Sequence, residues 1–320
     1  MKTFDITIVG ELNLDLILYG LPAEMPTERE LITSDFCVTL GSSSAIVAHN
    51  AAVLGARVAF TTLVGADDFG RMALARLSGG GVDVSRATWH PTRATGVTIL
   101  IPHGEHRHIL TFPGTIADLS VRDLDFDFLV QSRHLHLSSL YLQRGLHEGL
   151  ANLLRRLKEA GLTISLDPND DPDDQWGPPL AEILPYVDIL MPNEDEICRM
   201  TKTTNVDDAV RALSVRPRVI VVKRGVRGAR VYQQDVVSDV PALNVVPVDT
   251  IGAGDSFDAG FLRGFLLTKS VVRCTELGNI TGALSTQGAG GTGAYRNSEV
   301  RVAFLTKHRF FELLHSPEVN

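Results

Sequence analysis

Short apolar runs rich in β-branched residues alternate with longer stretches of helical spacing through most of this chain. The strand-like runs cover residues 6–9, 58–63, 134–137, 163–166, 189–191 and 219–222. Because parallel neighbours need a crossover connection, usually a helix, this alternation is typical of βαβ units. We therefore predict an α/β fold, a doubly wound and mostly parallel central sheet with helices on both faces.

Two stretches, residues 28–40 and 95–112, interrupt this alternation. In the second, the runs TGVTILI and HRHILTF flank the turn-forming PHGE, which predicts an antiparallel hairpin. A hairpin with one apolar face does not fit the interior of a parallel sheet. We therefore place both stretches in a small accessory sheet, a flap formed by about residues 17–40 and 92–114. Without a Pro/Ser-rich linker or an internal repeat, residues 1–320 are expected to form a single domain.

Charge and composition argue against several classes of protein. The net charge of -8 is the opposite of what a nucleic-acid-binding surface needs, so no nucleic-acid partner is expected. No apolar stretch approaches the ~20 residues that cross a bilayer, and no secretion signal is visible, so no membrane partner is expected. The three cysteines lie far apart and form no CxxC pair, which favours reduced thiols. We predict a cytoplasmic protein.

The most informative segment is NVVPVDTIGAGDSFDAGFLRGFLL, residues 244–267. An apolar strand is predicted to end at Val248, a glycine turn follows, and apolar residues then recur with helical spacing. The first amides of such a helix lack internal acceptors and lie at the positive end of its dipole, which favours an anion. Asp255 falls in the first turn, where its carboxylate could take a proton from a hydroxyl beside that anion. Acids also favour helix starts through the dipole alone, so the spacing leaves a structural role open.

The run DTIGAGDSF, residues 249–257, resembles the carboxyl-terminal signature D-T-x-G-A-G-D-x-F of the ribokinase-like (PfkB) carbohydrate kinases. The resemblance implies a ribokinase-like fold and an ATP-dependent transfer of phosphate to a sugar hydroxyl. It assigns the anion hole for the transferring phosphoryl group to Gly252, Ala253 and Gly254, and the catalytic base to Asp255. It also implies that Asp249 belongs to the substrate site.

Two further segments are similar to the nucleotide-binding parts of that family. MPNEDEI carries Asn193 and Glu196 in an N-x-x-E pattern, which implies that Glu196 organises Mg²⁺ through water; a helix cap is the alternative. IVVKRGVRGARV, residues 220–231, implies ATP contacts from Lys223, Gly225 and Gly228; a hairpin turn is the alternative.

The glycine-rich run GAGGTG, residues 288–293, matches the dinucleotide pattern G-x-G-x-x-G but follows a helical stretch rather than a strand, so its context is wrong for that function. In the resemblance this loop lies near the adenine and a monovalent cation. Gly288 is therefore a candidate for nucleotide binding, and K⁺ is a candidate cofactor beside ATP and Mg²⁺.

The substrate side of the resemblance is less complete. GELNLDLIL places Asp15, with Asn13 on the same strand face, where the family binds substrate hydroxyls; a polar strand end is the alternative. TLGSSSAIVAHN gives Gly41 and Ser42 where the family has two glycines, and Ile46 where it has a substrate-contacting Asn. Ile46 has no hydrogen-bonding side chain, so the contact to a sugar hydroxyl is either missing or supplied by Ser43 or Ser44.

Arg107 is a candidate to reach the substrate from the flap, and the flap also predicts a homodimer. The prediction is a sugar kinase. Two alternatives stay open. One is a nucleoside kinase of the same superfamily. The other is a sugar-binding regulator that has lost catalysis, which is suggested by Ile46 in place of the Asn of the family signature.

Overall fold

The computed structural model describes residues 2–103, 106–268 and 270–315. Its strands are β1 (Phe4–Val9), β2 (Asn13–Tyr19), β3 (Asp35–Leu40), β4 (Val58–Thr61), β5 (Leu63–Gly65), β6 (Thr88–His90), β7 (Gly96–His103), β8 (His106–Phe112), β9 (Ser132–Ser138), β10 (Thr163–Asp167), β11 (Ile189–Leu190), β12 (Val219–Lys223), β13 (Ala229–Gln233) and β14 (Val236–Val240). Its helices are α1 (Ser43–Val53), α2 (Asp68–Gly79), α3 (Phe126–Leu129), α4 (Arg144–His147), α5 (Leu150–Glu159), α6 (Pro178–Ile183), α7 (Glu194–Thr201), α8 (Val206–Ala212), α9 (Ala253–Phe265), α10 (Val271–Ser285), α11 (Gly293–Arg296), α12 (Ser298–Lys307) and α13 (Phe310–His315).

The central sheet has eight strands in the order β14-β13-β12-β11-β10-β9-β1-β4. All neighbours from β12 to β4 pair in parallel, and β13 and β14 extend the sheet by antiparallel pairing. The strand order runs in two directions from β1, because β4 lies on one side of it and β9 to β12 lie on the other. The predicted doubly wound, mostly parallel sheet is confirmed.

Helices cover both faces of the central sheet. Successive residues of a strand point to opposite faces, so alternate residues enter separate cores. On β12, Val219 and Val221 join a core with α1, α9 and α10, whereas Ile220 and Val222 join a core with α5. The same alternation decides which polar side chains reach each face at the carboxyl edge of the sheet.

A second sheet has four strands in the order β3-β2-β7-β8, and it is the predicted flap. β7 and β8 form the predicted hairpin; residues 104 and 105 of its PHGE turn lie outside the described ranges. The sheet begins earlier than expected, because all of β2 from Asn13 onward pairs with β3 and β7. Its inner face contacts the segment before α9 through a small apolar cluster of Ile17, Leu100 and Ile251.

The predicted strand ending at Val248 is wrong. Residues 241–248 are extended or bent but belong to no strand. Val246 and Val248 are 86% and 72% exposed, so their apolar side chains have no sheet face to cover. The segment is instead tied to α10 and its end by hydrogen bonds, from Val248 N to Thr286 O at 2.7 Å, from Asn279 Nδ2 to Pro241 O at 3.0 Å and from Gln287 Nε2 to Val246 O at 3.3 Å.

Among the helices of the described ranges, none combines the length and the apolar character that crossing a membrane requires.

Candidate active site

Several elements meet at the carboxyl edge of the central sheet. Asp167 ends β10 and Lys223 ends β12, and Lys223 also pairs with Asn193 at the start of α7. The amino terminus of α9 faces the same edge, since Asp258 of that helix contacts Lys223. The carboxyl edge of parallel strands is where open α/β sheets bind their ligands.

The turn before α9 has the shape of an anion site. Gly252 has a left-handed backbone, with φ of 71°, and a Cβ there would lie 2.4 Å from Gly291 Cα, so both conformation and space require glycine. No side chain caps the start of α9. The Ala253 amide makes a long bond of 3.3 Å to Thr250 O, and within the described ranges the amides of Gly254 and Asp255 have no backbone acceptor. These amides are available to an anion at the positive end of α9.

Asp249 holds this turn in place. Its carboxylate accepts hydrogen bonds from Ile251 N at 2.9 Å, Gly290 N at 2.8 Å and the Tyr19 hydroxyl at 3.1 Å. These bonds connect the turn to the 288–293 loop and to the small sheet. The contacts seen for Asp249 are therefore those of a residue that positions the turn.

Asp255 lies beside the free amides and is only 9% exposed. Burial and the nearby Asp167 carboxylate raise the pKa of Asp255 to about 6, although Lys223 and a hydrogen bond from the Ser43 side chain oppose that rise. A carboxyl group with this pKa is still ionised at neutral pH and is a stronger base than an ordinary Asp.

Asp15 and Asn13 bring two oxygen acceptors to one point on the inner face of the small sheet. A Cβ on Gly41 would lie 2.1 Å from Asp15 Oδ1 and 2.5 Å from Asn13 Oδ1, so only glycine leaves room for them. Asn13 Nδ2 donates to Thr98 Oγ1 at 2.9 Å, while Asn13 Oδ1 is buried without a partner in the described part of the chain. Burial, followed by the charges of Asp255 and Asp249, raises the pKa of Asp15 to about 7.

Among the predicted substrate-site residues, Arg107 on β8 carries a cationic side chain. It is exposed, and its Nη1 lies 3.5 Å from Thr250 Oγ1 in the turn before α9. Its charge acts to lower the pKa of both Asp15 and Asp255. The structure therefore brings Arg107 near the two carboxylates, as expected for a flap residue facing the site.

The segment that departs from the family signature serves the site indirectly. Ser42 keeps a left-handed backbone, with φ of 65°, and its hydroxyl donates to Glu11 O at 2.8 Å. Ile46 packs against the glycine turn before α9, because its Cδ1 would lie 2.6 Å from a Cβ on Gly291 and 3.2 Å from one on Gly252. Ile46 therefore supports this turn through an apolar packing contact.

Lys223 is the centre of a buried charge cluster. Its Nζ lies 2.5 Å from Asp167 Oδ2 and 3.4 Å from Asp258 Oδ2. Burial alone would lower the pKa of Lys223, but Asp167, Asp258 and Glu196 outweigh it and raise that pKa above its ordinary value. The Nζ would also be 3.5 Å from a Cβ on Gly254, so the cation lies beside the free amides of α9.

Sequence reasoning did not single out Asp258. The available signal was its spacing: it follows Asp255 by three residues, so both lie on one face of α9.

Asn193 and Glu196 form a complete capping box at the start of α7. Asn193 Oδ1 accepts from Glu196 N at 2.8 Å, and Glu196 Oε2 accepts from Asn193 N at 2.8 Å. Glu196 is nevertheless buried toward the charge cluster, where burial and then Asp167 raise its pKa to about 8. The pair has the geometry of a cap, at a position that also faces the charge cluster.

The predicted nucleotide-contacting glycines do not all lie together. Gly225 and Gly228 shape the turn between β12 and β13 with positive φ angles of 56° and 82°, directly after Lys223. Gly288 instead lines a separate pocket with Cys37 and Thr39 of β3. The structure therefore groups Gly225 and Gly228 with Lys223 and leaves Gly288 apart.

Known proteins resemble this chain over nearly its whole length. The pfkB family carbohydrate kinases match residues 3–297. An ATP-dependent ribose-1-phosphate kinase from Halopiger xanaduensis is 30% identical over 274 residues, which are 83% of this chain and 86% of that protein. A cytidine kinase from Thermococcus kodakarensis is 27% identical over 281 residues, covering 86% and 93% of the two chains.

A solved structure shows the same fold. The crystal structure of a putative ribokinase II from E. coli in complex with ATP and Mg²⁺ superposes with a TM-score of 0.81 at 23% identity, covering 95% of this chain and 100% of that one. The family match, the similarity to a kinase across four fifths of the sequence and the shared fold agree, and this chain belongs to the pfkB family of carbohydrate kinases.

Proposed function

We propose that this carbohydrate kinase transfers the γ-phosphoryl group of ATP to a hydroxyl of a sugar or sugar derivative, with Asp255 as the general base. One observation carries the proposal: free amides at the start of α9 lie directly beside a buried carboxylate whose pKa is about 6. The amides suit the phosphoryl group, and the carboxylate suits the hydroxyl that attacks it.

In this mechanism the substrate lies between the inner face of the small sheet and the turn before α9. Asp15 and the unpartnered Asn13 Oδ1 accept hydrogen bonds from its hydroxyls, beside the space that Gly41 leaves open. Ser43, Ser42 and Asp249 hold the surrounding loops, and Arg107 closes the site from the flap. Asp255 takes the hydroxyl proton as the oxygen attacks the γ-phosphorus, the bond from that phosphorus to the β,γ-bridging oxygen breaks so that ADP leaves, and the amides of Gly252, Ala253 and Gly254 define the anion hole.

MgATP enters this scheme as the second substrate. Lys223 supplies positive charge beside the anion hole, and the turn at Gly225 and Gly228 follows it on the same side of the sheet. Glu196 is the candidate to hold Mg²⁺ through water, since its carboxyl is buried at the edge of the same cluster. The bound Mg²⁺ would neutralise charge on the transferring phosphoryl group.

The decisive variant is Asp255→Asn. It keeps the shape of the side chain but cannot accept the proton, so kcat should fall by about 10²–10⁴-fold. ATP affinity, measured by calorimetry in the presence of Mg²⁺, should change little. In the unsubstituted enzyme kcat/KM should fall as pH drops below about 6, because Asp255 becomes protonated there.

Asp68→Asn is the matched control. Asp68 is also an acid in the first turn of a helix, but it is exposed and pairs with the exposed Arg71. If Asp255 served only the helix dipole, both variants would retain nearly full turnover. Turnover by Asp255→Asn within tenfold of the unsubstituted rate would contradict its assignment as the base.

A substrate panel separates the candidate acceptors. ADP release would be measured with free sugars, phosphorylated sugars, sugar acids and nucleosides, in the presence of Mg²⁺ and ATP. The similarity to a cytidine kinase supports keeping nucleosides in the panel. Thermal stabilisation by a sugar without ADP release would favour the inactive regulator, which the intact turn at residues 249–257 argues against.

A potassium requirement is a further part of the proposal. It is supported by the resemblance and by the ordered contact between Asp249 and the 288–293 loop. Replacing K⁺ by Na⁺ at constant ionic strength should lower kcat, and equal rates in the two salts would refute this part. The protein is also proposed to be cytoplasmic, which cell fractionation would test.

We propose a homodimer formed through the outer face of the small sheet, with a second copy of this chain as the partner. Phe36, Leu110 and Phe112 share that face and are 53%, 53% and 54% exposed, and the partly buried Leu18 and Ile99 continue the patch. Leu110→Asp should give a monomer by light scattering. Val236→Asp, at an exposed valine of edge strand β14, is the control and should leave the mass unchanged.

A further inference from the structure

Three histidines share the outer face of the small sheet, at the tip of its β7–β8 hairpin. His103 pairs directly with His106 across the two strands, and His108 pairs with Ile101, two residues before His103. Residues that face each other across strands, or that lie two apart on one strand, share a face of the sheet. His103, His106 and His108, the histidine cluster, therefore lie on the face opposite to that of Arg107. The proposed reaction uses none of them.

The imidazole rings of the histidine cluster are close enough to share one ion. The ring centroids of His103 and His108 are 4.7 Å apart, and those of His103 and His106 are 6.5 Å apart. An ion held about 2 Å from one nitrogen of each ring requires separations of this order. His106 and His108 are exposed and His103 is half-buried, so an ion in solution can reach all three.

Backbone carbonyls already orient two of the rings. His103 Nδ1 lies 3.2 Å from Ile101 O, and His108 Nε2 lies 3.4 Å from Ala23 O. Because a carbonyl only accepts, these nitrogens carry the proton of the neutral ring, and the lone pair is on Nε2 of His103 and on Nδ1 of His108. Histidines that bind metals are typically held in this way, since the second N–H fixes the tautomer and the ring orientation.

The donor set indicates which ions would bind. Imidazole nitrogen suits Zn²⁺, Cu²⁺ and Ni²⁺, whereas Mg²⁺ and Ca²⁺ prefer oxygen. Zn²⁺ imposes no geometry through its d electrons and accepts three protein ligands with water as the fourth. In the described ranges no three ligating side chains already converge on one point. His103 and His108 would therefore bind first, and the exposed His106 would join them by a change of rotamer, which is fast for an exposed side chain.

We propose that the histidine cluster binds one transition-metal ion of the Zn²⁺ type and that this ion cross-links the two strands at the tip of the flap. Strand β8 lies at the edge of the small sheet and, in the part of the chain that the structure describes, pairs with β7 alone. All of its residues are exposed. A hairpin that packs so little surface is weakly held, so a bond across its strands would stabilise it.

The cross-link would also restrain the strand that carries Arg107. Arg107 stands between His106 and His108 in the sequence, and its Nη1 lies 3.5 Å from Thr250 Oγ1 beside the candidate active site. The ion would bind on one face of β8 while Arg107 extends from the other. The metal site is thus separate from the catalytic cleft but shares a strand with it.

Binding can be measured on the nucleotide-free protein without any assay of turnover. ZnCl₂ would be titrated by calorimetry in excess Mg²⁺, which competes for oxygen ligands but poorly for imidazole. The unsubstituted chain should bind one Zn²⁺ per chain at the cluster. His103→Gln, His106→Gln and His108→Gln should each weaken that binding by about tenfold or more, because even the loss of a group behind a ligand costs about 10–100-fold in metal affinity.

His315→Gln is the matched control. His315 is also an exposed histidine, at the end of α13, and its replacement should leave the Zn²⁺ affinity unchanged. Unchanged affinity in any one of the three cluster variants would overturn the three-histidine site. A stoichiometry of one Zn²⁺ per two chains would also overturn it, because the ion would then be shared between two copies.

Hydrogen exchange tests the cross-link separately. When free Zn²⁺ exceeds its Kd tenfold, the amides of β8 should exchange about tenfold more slowly, as followed by mass spectrometry of peptides covering residues 106–112. Zn²⁺ should not change the exchange of these peptides in His103→Gln, nor that of β14, the edge strand of the central sheet, in any variant. Zn²⁺ binding without slower exchange in β8 would overturn the cross-link. Both measurements stand whether or not the proposed kinase reaction is found.

Discussion

The two faces of the central sheet differ sharply where β9 and β10 cross it. Toward α5 these strands present leucine and isoleucine side chains, namely Leu135, Leu137, Ile164 and Leu166, all at most 2% exposed. Toward α9 the alternate positions carry polar side chains that are just as buried, namely His134, His136, Ser165 and Asp167. The alternation is that of an ordinary strand, but only one face follows the rule that buried means apolar.

The buried polar side chains of this face are stabilised because they form a continuous chain of hydrogen bonds. His134 bonds Thr163 Oγ1 and Ser165 Oγ, each at 2.7 Å. Ser165 Oγ also bonds His136, which in turn bonds Ser138 Oγ, each at 2.8 Å. The next residue on this face of β10 is Asp167, which pairs with Lys223. Burial of polar groups is tolerated when every member of the network is satisfied.

The polar face supplies the charged side chains of the candidate site. Asp167 and Lys223 lie under α9 at the carboxyl edge, where Lys223 contacts Asp258 and lies beside the first turn of that helix. The apolar face needs no such pairing and supplies stability by packing. Variants on the two faces should therefore fail in different ways.

Lys223→Met should have the largest effect on stability. It keeps the length of the side chain but leaves Asp167 and Asp258 buried without their cation, at a cost of about 3–5 kcal/mol in the free energy of unfolding. Denaturant unfolding would measure it, and kcat should fall as well, because Lys223 lies beside the free amides of α9.

Lys158→Met is the control for that variant. Lys158 also pairs with a carboxylate, Asp188 at 2.6 Å, but this pair is partly exposed on the other side of the sheet. Its loss should cost about 1 kcal/mol or less and leave turnover unchanged. If both variants lowered the free energy of unfolding by the same amount, leaving the buried carboxylates of the Lys223 cluster without their cation would be no more destabilising than breaking a partly exposed ion pair.

Leu137→Ala tests the apolar face. Leu137 is 2% exposed, and truncating it would leave a cavity among the leucines of α5, at a cost of about 2–5 kcal/mol. In contrast to Lys223→Met, the stable fraction of this variant should retain normal kcat. If Leu137→Ala kept full stability but had a reduced kcat, the apolar face would not contribute mainly to stability, and this contrast between the two faces would be wrong.

The sequence predicted the sheet and the glycine turn before α9 because both follow local patterns. Strand alternation and the DTIGAGDSF run are contiguous, and each indicates its own structure. The Lys223 cluster could not be predicted in the same way, since Asp167, Lys223 and Asp258 come from three distant segments and only the strand order brings them together. The predicted strand at Val248 is wrong because Val246 and Val248 give the segment the apolar pattern of a strand, whereas residues 241–248 pair with no strand in the described part of the chain.

Ile46 shows a further limit. From the sequence it is a missing hydrogen bond to the substrate, whereas in the structure it is a packing contact with Gly252 and Gly291. The direction of a side chain at the start of a helix depends on the loops around it, which single-sequence patterns do not specify.

Ser165→Ala should have a smaller effect than the changes above. The hydroxyl is shared by His134 and His136, so its removal leaves a ring nitrogen of each without a partner, at a cost of about 1–2 kcal/mol. Ser85→Ala, at an exposed serine, is the control and should be neutral. A neutral Ser165→Ala would indicate that the histidines find other partners on the polar face.

The smallest predicted effect is a dependence of stability on pH that belongs to the polar face alone. Burial first, then the neighbouring His136, lowers the pKa of His134 to about 3. In the unfolded chain a histidine pKa is about 6.5. The folded pKa is depressed, so the stability that neutral His134 contributes is present above pH about 6.5 and is lost as pH falls toward 3.

Carboxyls with raised pKa values, such as Asp15 and Glu196, change stability in the opposite direction over part of this range. The histidine contribution must therefore be measured as a difference between the unsubstituted chain and His134→Asn. That difference should shrink by about 1.4 kcal/mol between pH of about 7.5 and 5.5, because each pH unit below the unfolded pKa is worth that amount. Leu135→Ala, the neighbouring change on the apolar face, should give a difference that does not vary with pH. A constant difference for His134→Asn would mean that the imidazole remains able to bind a proton in the folded state, and that the hydrogen-bonded line does not hold it neutral.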